Sequence, residues 1–160
     1  MSRPSILIAN DDGIFADGIY ALWEAMSEIG DTIVVAPNTE KSAVGHAITL
    51  SDPIRIEKVK RSGGFQGYAV NGTPADSVKI AVKAIMDEKP DIIISGINAG
   101  ANIGQSLLYS GTISAATEGT FLGIPSIGIS LNSLKGGDWS GAKIVAQKVV
   151  QSVLDKDLPN

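Results

Sequence analysis

The sequence predicts an α/β protein with a doubly wound, mostly parallel sheet and an inserted β-hairpin. Three observations carry this: short apolar, β-branched runs recur along the chain, segments with helical periodicity separate them, and one stretch instead alternates apolar and polar residues. Runs that are apolar on both faces suit parallel strands buried between two helical layers. The expected architecture is therefore three-layered, αβα, and Rossmann-like.

The first strand is expected at Ile6 to Ala9, and the helix after it keeps Ile19, Leu22, Trp23, Met26 and Ile29 at spacings of three and four. A second strand is expected at Thr32 to Ala36. From Ile54 to Lys60 the chain alternates; Arg61-Ser62-Gly63-Gly64 and then Phe65 to Val70 complete a hairpin signal. The next helix opens at Thr73-Pro74-Ala75-Asp76, with an N-cap, a proline at the first helical position and an acid at the third. Asp76 is accordingly read as a helix cap, and Val78, Ala81, Val82, Ile85 and Met86 form the apolar face behind it. A third strand is expected at Ile92 to Ile94, a helix at Ile113 to Leu122, a fourth strand at Ile124 to Ile129 and a last helix from about Ser140 to Leu154. Tyr20, Trp23 and Trp139 are expected to pack in or over the core. With no repeat, low-complexity tract or proline- and serine-rich linker, residues 1–160 are expected to form one domain.

Composition narrows the function. With 44% hydrophobic and 19% charged residues the chain has the material for a full core, which excludes intrinsic disorder. Thirteen Lys plus Arg against 17 Asp plus Glu leave a net charge of −4, which argues against a nucleic acid duplex as partner. The chain has no cysteine, so disulfides, thiolate metal ligands and a cysteine nucleophile are excluded. No stretch approaches the roughly 18 apolar residues of a membrane helix, and the amino end does not read as a signal peptide. A soluble, cytoplasmic protein with no membrane partner is the expectation.

Ligands of open parallel sheets bind outside the carboxyl ends of the strands, and the residues directly after each strand are specific here. Asn10-Asp11-Asp12-Gly13 comes after the first, Pro37 to His46 after the second, and Ser95 to Gly104 after the third, leading to Tyr109-Ser110-Gly111-Thr112 before a helix. Neighbouring residues on a strand point to opposite faces, so Asp11 and Asp12 address one ion only where the chain leaves the strand, and Gly13 permits that bend. A cation would also offset the repulsion between the two carboxylates. With Ser42 and Asn98 the set offers only oxygen donors, which suits Mg²⁺, Mn²⁺ or Ca²⁺. An isolated Asp-Asp-Gly reads as a turn; after an apolar first strand it reads as a ligand site. Ser110, Gly111 and Thr112 open a helix whose free amides and hydroxyls form an anion site, with ordinary capping as the plainer alternative. His46, in a glycine-flanked polar stretch, suits proton transfer or phosphate contact. The glycine- and asparagine-rich run from Gly96 to Gly104 also fits left-handed turns alone. These loops hold no obvious aromatic platform, so base preference is left open.

The stretches ILIANDDGIFADGI, VVAPNTEKSAVGHAIT, VNGTPADSVKIA, IIISGINAGANIG and YSGTISAATEG, in this order and spacing, closely resemble the survival protein E (SurE) family of metal-dependent nucleotide phosphatases. The resemblance implies a Rossmann-like fold, one divalent metal ion (Mg²⁺ or Mn²⁺, with Ca²⁺ in crystals), and hydrolysis of nucleoside 5′- and 3′-monophosphates, with short polyphosphate as a further substrate in certain members. It implies metal ligands at Asp11, Asp12, Ser42 and Asn98, and phosphate contacts at Gly45, His46, Asn102 and Ser110, Gly111 and Thr112. It also implies a homo-oligomer, dimer or tetramer, made by a carboxyl-terminal extension that this chain, stopping at Asn160, is expected to lack.

Two other α/β classes fit less well. A phosphoaspartyl phosphatase of the haloacid dehalogenase type needs Asp-x-Asp, but Asn10 stands two before Asp12. A response-regulator receiver needs an aspartate at the end of its third strand, where Ser95-Gly96 stands, and a lysine on the last, which Ile124 to Ser130 lacks. The expected chemistry is a metal-dependent phosphomonoesterase in which Asp11, Asp12 and His46 are catalytic. The alternative is a nucleotide- or phosphate-binding module without turnover.

Overall fold

The computed structural model describes residues 3–135 and 137–156. Six strands form one sheet in the order β3-β4-β2-β1-β5-β6. They are β1 (Ser5–Ala9), β2 (Asp31–Pro37), β3 (Ile56–Lys60), β4 (Gln66–Val70), β5 (Ile92–Ala99) and β6 (Ser126–Leu131). Every neighbouring pair is parallel except β3 with β4. Four helices flank the sheet: α1 (Asp17–Ser27), α2 (Pro74–Ile80), α3 (Gly111–Phe121) and α4 (Ser140–Lys156). The expected Rossmann-like, three-layer α/β architecture is present.

Strand alternation divides the core in two. Ile6 and Ile8 of β1, with Val34, Ile92 and Ile94, face Leu22, Met26 and Val150 of α1 and α4. Leu7 and Ala9, with Val35, Val70 and Ile93, face Val78 of α2 and Ala115 of α3. Both faces of the inner strands are buried, which is why they read as continuous apolar runs. Tyr20, Trp23 and Trp139 are partly buried against the first core, as expected. Phe65 is fully buried there, with its ring edge-on to Trp23 at 5.3 Å. The Arg61 guanidinium lies 4.9 Å from the Tyr20 ring centroid, so the hairpin clamps α1.

Several boundaries differ from the sequence expectation for visible reasons. The hairpin is no separate insert, because β4 pairs with β2 and extends the main sheet. β5 does not stop at Ile94 but continues to Ala99, with a bulge between Ser95 and Asn98 against β6. Gly96 there has φ +144°, and a Cβ at this position would lie 2.4 Å from the Ile129 carbonyl oxygen, so only glycine fits. β6 begins at Ser126 rather than Ile124, since Pro125 has no N–H and contributes only its carbonyl, which accepts from Ile93. The helix expected through Met86 is α-helical to Ile80 and closes with a π turn, Ala81–Ile85. Among the described residues no helix is long and apolar enough to cross a membrane.

Candidate active site

From β1 the chain winds outward to β2 and β4, then α2 carries it back to β5 on the other side of β1. The crevice between β1 and β5 is therefore the topological switch point, where open α/β sheets bind ligands. Asp11 and Asp12 leave β1 directly into it. Asn10 closes the turn behind them, its Nδ2 donating to the Gly13 carbonyl at 2.9 Å and its Oδ1 accepting from the Gly13 N–H at 3.2 Å. The loop after β2 is fastened to the same turn: the Lys41 N–H donates to the Asp11 carbonyl at 2.7 Å.

Asp11 is 5% exposed and its Oδ1 accepts from the Thr112 hydroxyl. Gly111 stands against it so closely that a Cβ would fall 2.6 Å from the Asp11 Cβ. Burial pushes the Asp11 carboxyl above its ordinary value, opposed by the Thr112 hydroxyl and by the amides at the start of α3. Asp12 accepts from the Ala99 N–H at 3.2 Å. Its pKa is also raised, mainly by burial and further by the charges of Asp11 and Glu40, against the Ala99 bond.

A cleft of about 540 Å³ opens over this pair, and its lining includes Asp11, Asp12, Ser42, Asn98, Asn102 and Ser110. Asn98 donates from Nδ2 to the Gly100 carbonyl at 2.7 Å, and Asn102 donates to the Ser130 hydroxyl at 2.8 Å. Ser110 caps α3, its Oγ accepting from the Ile113 N–H at 3.2 Å. Four other residues singled out by the sequence are outside this lining. Gly111 and Thr112 reach the cleft through Asp11. Gly45, at φ +57°, donates its N–H to the Tyr109 carbonyl at 3.1 Å and so ties two site loops together. His46 places Nε2 2.8 Å from Oε2 of the buried Glu118, and its ring stacks on Phe121 at 5.4 Å. Glu118 also faces the Lys79 ammonium at 3.4 Å.

Sequence reasoning missed Glu40, Tyr109, Leu134 and Glu118. Glu40 lines the cleft and accepts from the Ser42 hydroxyl; its place two residues before Ser42 was a signal. Tyr109 lines it too, directly before Ser110. Leu134 and Glu118 had no local signature.

The donor chemistry fits a hard divalent cation. Two neighbouring carboxylates are held where burial disfavours both charges and the charges of Asp11 and Glu40 further disfavour that of Asp12, the condition a cation relieves. Among the described residues no three of His, Cys, Asp and Glu are grouped to hold a metal. A cation here would therefore rest on two carboxylates completed by neutral oxygens, as Ser42 and Asn98 offer.

Fold and cleft together define a Rossmann-like α/β protein with an acidic, oxygen-lined site at its topological switch point. A family model described as "Survival protein SurE" matches residues 6–160. The chain is 49% identical over 148 residues to a protein named 5′-nucleotidase SurE from Syntrophus aciditrophicus (strain SB), covering 92% of this chain and 56% of that one. A protein of the same name from Syntrophobacter fumaroxidans (strain DSM 10017 / MPOB) is 49% identical over 154 residues, covering 96% and 62%. The crystal structure of Sure protein from Aquifex aeolicus is similar with a TM-score of 0.88 and 41% identity, over 98% of this chain and 62% of that one. The chain belongs to the SurE family. It spans between 56% and 62% of the length of these three relatives.

Proposed function

We propose that this protein is a divalent-metal-dependent phosphomonoesterase that hydrolyses nucleoside 5′- and 3′-monophosphates to nucleoside and phosphate. The observation that carries the reading is one juxtaposition: Asp11 and Asp12, Ser42, Asn98 and the α3 cap Ser110 line the same cleft. Family membership and relatives named 5′-nucleotidase support the same chemistry.

Asp11, Asp12, Ser42 and Asn98 would hold Mg²⁺ or Mn²⁺. Such an ion supplies a Lewis acid for a phosphoryl oxygen and a water of lowered pKa. Thr112 and Gly111 act on Asp11, the hydroxyl orienting its carboxylate and the missing side chain making room for it. Ser110 and Asn102 offer a hydroxyl and an amide to non-bridging oxygens, whose charge shifts as the ester bond breaks. His46 and Gly45 serve the site through its loops, His46 by anchoring the Ser42 loop to Glu118 of α3 and Gly45 by its bond to Tyr109. A small-molecule phosphate ester is thus the partner.

The test is phosphate release from AMP and from an aryl phosphate by chelator-treated protein, with and without Mn²⁺ or Mg²⁺, beside Asp11→Asn. Metal-dependent release that the variant loses, mainly in kcat, is the expected result. Release by Asp11→Asn at the parent rate overturns the ligand assignment. Tight binding of the ester by folded protein without release under any metal would leave a binding module instead.

A further inference from the structure

The switch-point cleft has two kinds of wall. Its floor is polar, built from the carboxylates, amides and hydroxyls described above, whereas its rim carries Tyr109 and Leu134, which are 63% and 87% exposed. Tyr109 is the one aromatic side chain among the described residues lining this cleft, and its ring meets no other ring. The backbone beneath it is fixed on both sides. Its N–H donates to the Ser106 carbonyl at 3.2 Å, its carbonyl accepts from Gly45 at 3.1 Å, and the next residue caps α3. A large ring on a held backbone loses little freedom when it takes a flat partner, because only two torsions remain to be ordered.

The cleft volume falls within the range of sites that enclose a whole small molecule, which is more room than a phosphoryl group requires. A substrate seated with its phosphate at Ser110 and the carboxylate pair has the rest of its body beside the neighbouring residue, Tyr109. We propose that Tyr109 is the platform on which the planar base of the substrate stacks; this rests on the phosphomonoesterase reading of the same cleft. Stacking on an aromatic face tolerates any base. The platform therefore selects planar leaving groups over aliphatic ones, with little discrimination among the bases.

The experiment compares wild type, Tyr109→Ala and Tyr109→Phe on AMP and on glycerol phosphate, an ester with no ring, in Mn²⁺. Tyr109→Ala is expected to lower kcat/KM for AMP roughly ten- to a hundredfold, chiefly through KM. It should leave glycerol phosphate within about twofold, and Tyr109→Phe should retain AMP activity. Equal losses on both esters, or no loss on either, overturn the assignment. If wild type cleaves neither ester, the phosphatase reading falls alone, and Tyr109 is decided by equilibrium titration of the same two compounds. AMP binding weakened by alanine but not by phenylalanine, with glycerol phosphate unchanged, then upholds the platform; any other pattern rejects it.

Discussion

Replacing Asp76 is expected to loosen the site from a distance. Its carboxylate is 3% exposed and accepts from three donors: the Thr73 N–H at 2.9 Å, the Thr49 hydroxyl at 2.6 Å and the Thr49 N–H at 3.1 Å. The first closes the capping box of α2; the other two pin the long segment between β2 and β3, which carries Ser42, Gly45 and His46. Alanine strands all three donors in a partly buried place, at about 1 to 1.5 kcal/mol each, so Asp76→Ala should cost about 3 to 4.5 kcal/mol. For a chain of this size that lowers Tm by roughly 10 °C. Asp76→Asn should cost about half as much, because its oxygen serves one side of the cluster while its amide nitrogen faces donors on the other. Urea denaturation followed by circular dichroism gives the free energies, and hydrogen exchange at the Thr49 amide reports the pin itself. A loss under about 1 kcal/mol for the alanine variant, or a Thr49 amide exchanging equally fast in variant and wild type, would refute the reasoning.

Two further expectations concern buried polar groups near the strand ends. Burial raises the pKa of Asp11 and Asp12 in the folded state, so the folded protein keeps protons that the unfolded chain has released. Their contribution to stability is complete below the unfolded value of 3.8 and is lost as pH rises through the folded values. In chelated protein this contribution falls as pH rises above 3.8, so the melting temperature of Asp11→Asn should lose less, or gain more, than that of wild type over the same rise; equal slopes in the two proteins would contradict it. The Ser95 hydroxyl is fully buried and has no hydrogen-bond partner. Ser95→Ala should accordingly raise stability by about 1 kcal/mol in urea titrations, and a loss of that size would show that the hydroxyl is satisfied after all.

Much of this architecture was legible in the sequence because burial on both faces leaves a plain mark. Ile6 to Ala9 and Ile33 to Ala36 are apolar throughout since α1 and α4 cover one side and α2 and α3 the other. The hairpin showed because β3 is exposed on most of its length and must alternate. What escaped notice was structure that composition disguises. Ser95-Gly96-Ile97-Asn98 reads as loop, yet the ladder continues through it because the crowded Ile129 carbonyl admits glycine in an extended strand. For the site, Asp11, Asp12, Ser42, Asn102 and Ser110 line the cleft from loops after strands or from the opening of a helix, the places a sequence marks, whereas Asn98 lines it from within the end of β5. His46 shares their neighbourhood in sequence, but its partner Glu118 lies 72 positions away, and no local pattern encodes such a pairing. Tyr109 adjoins Ser110 yet does not read as a platform, because exposure and shared cleft walls are tertiary facts.

The central place of β1 also sets an order of assembly. One neighbour, β2, comes after a single helix, but the other, β5, arrives only after the hairpin and α2, and Ser5 bonds Asp91 across 86 positions. Contacts that close so long a loop form late, since the entropy of closure precedes their reward. The crevice between β1 and β5 therefore does not exist in a chain that has formed only its amino-terminal half. The candidate site is thus assembled late in folding, and a nascent polypeptide exposes Asp11 and Asp12 long before the cleft around them exists.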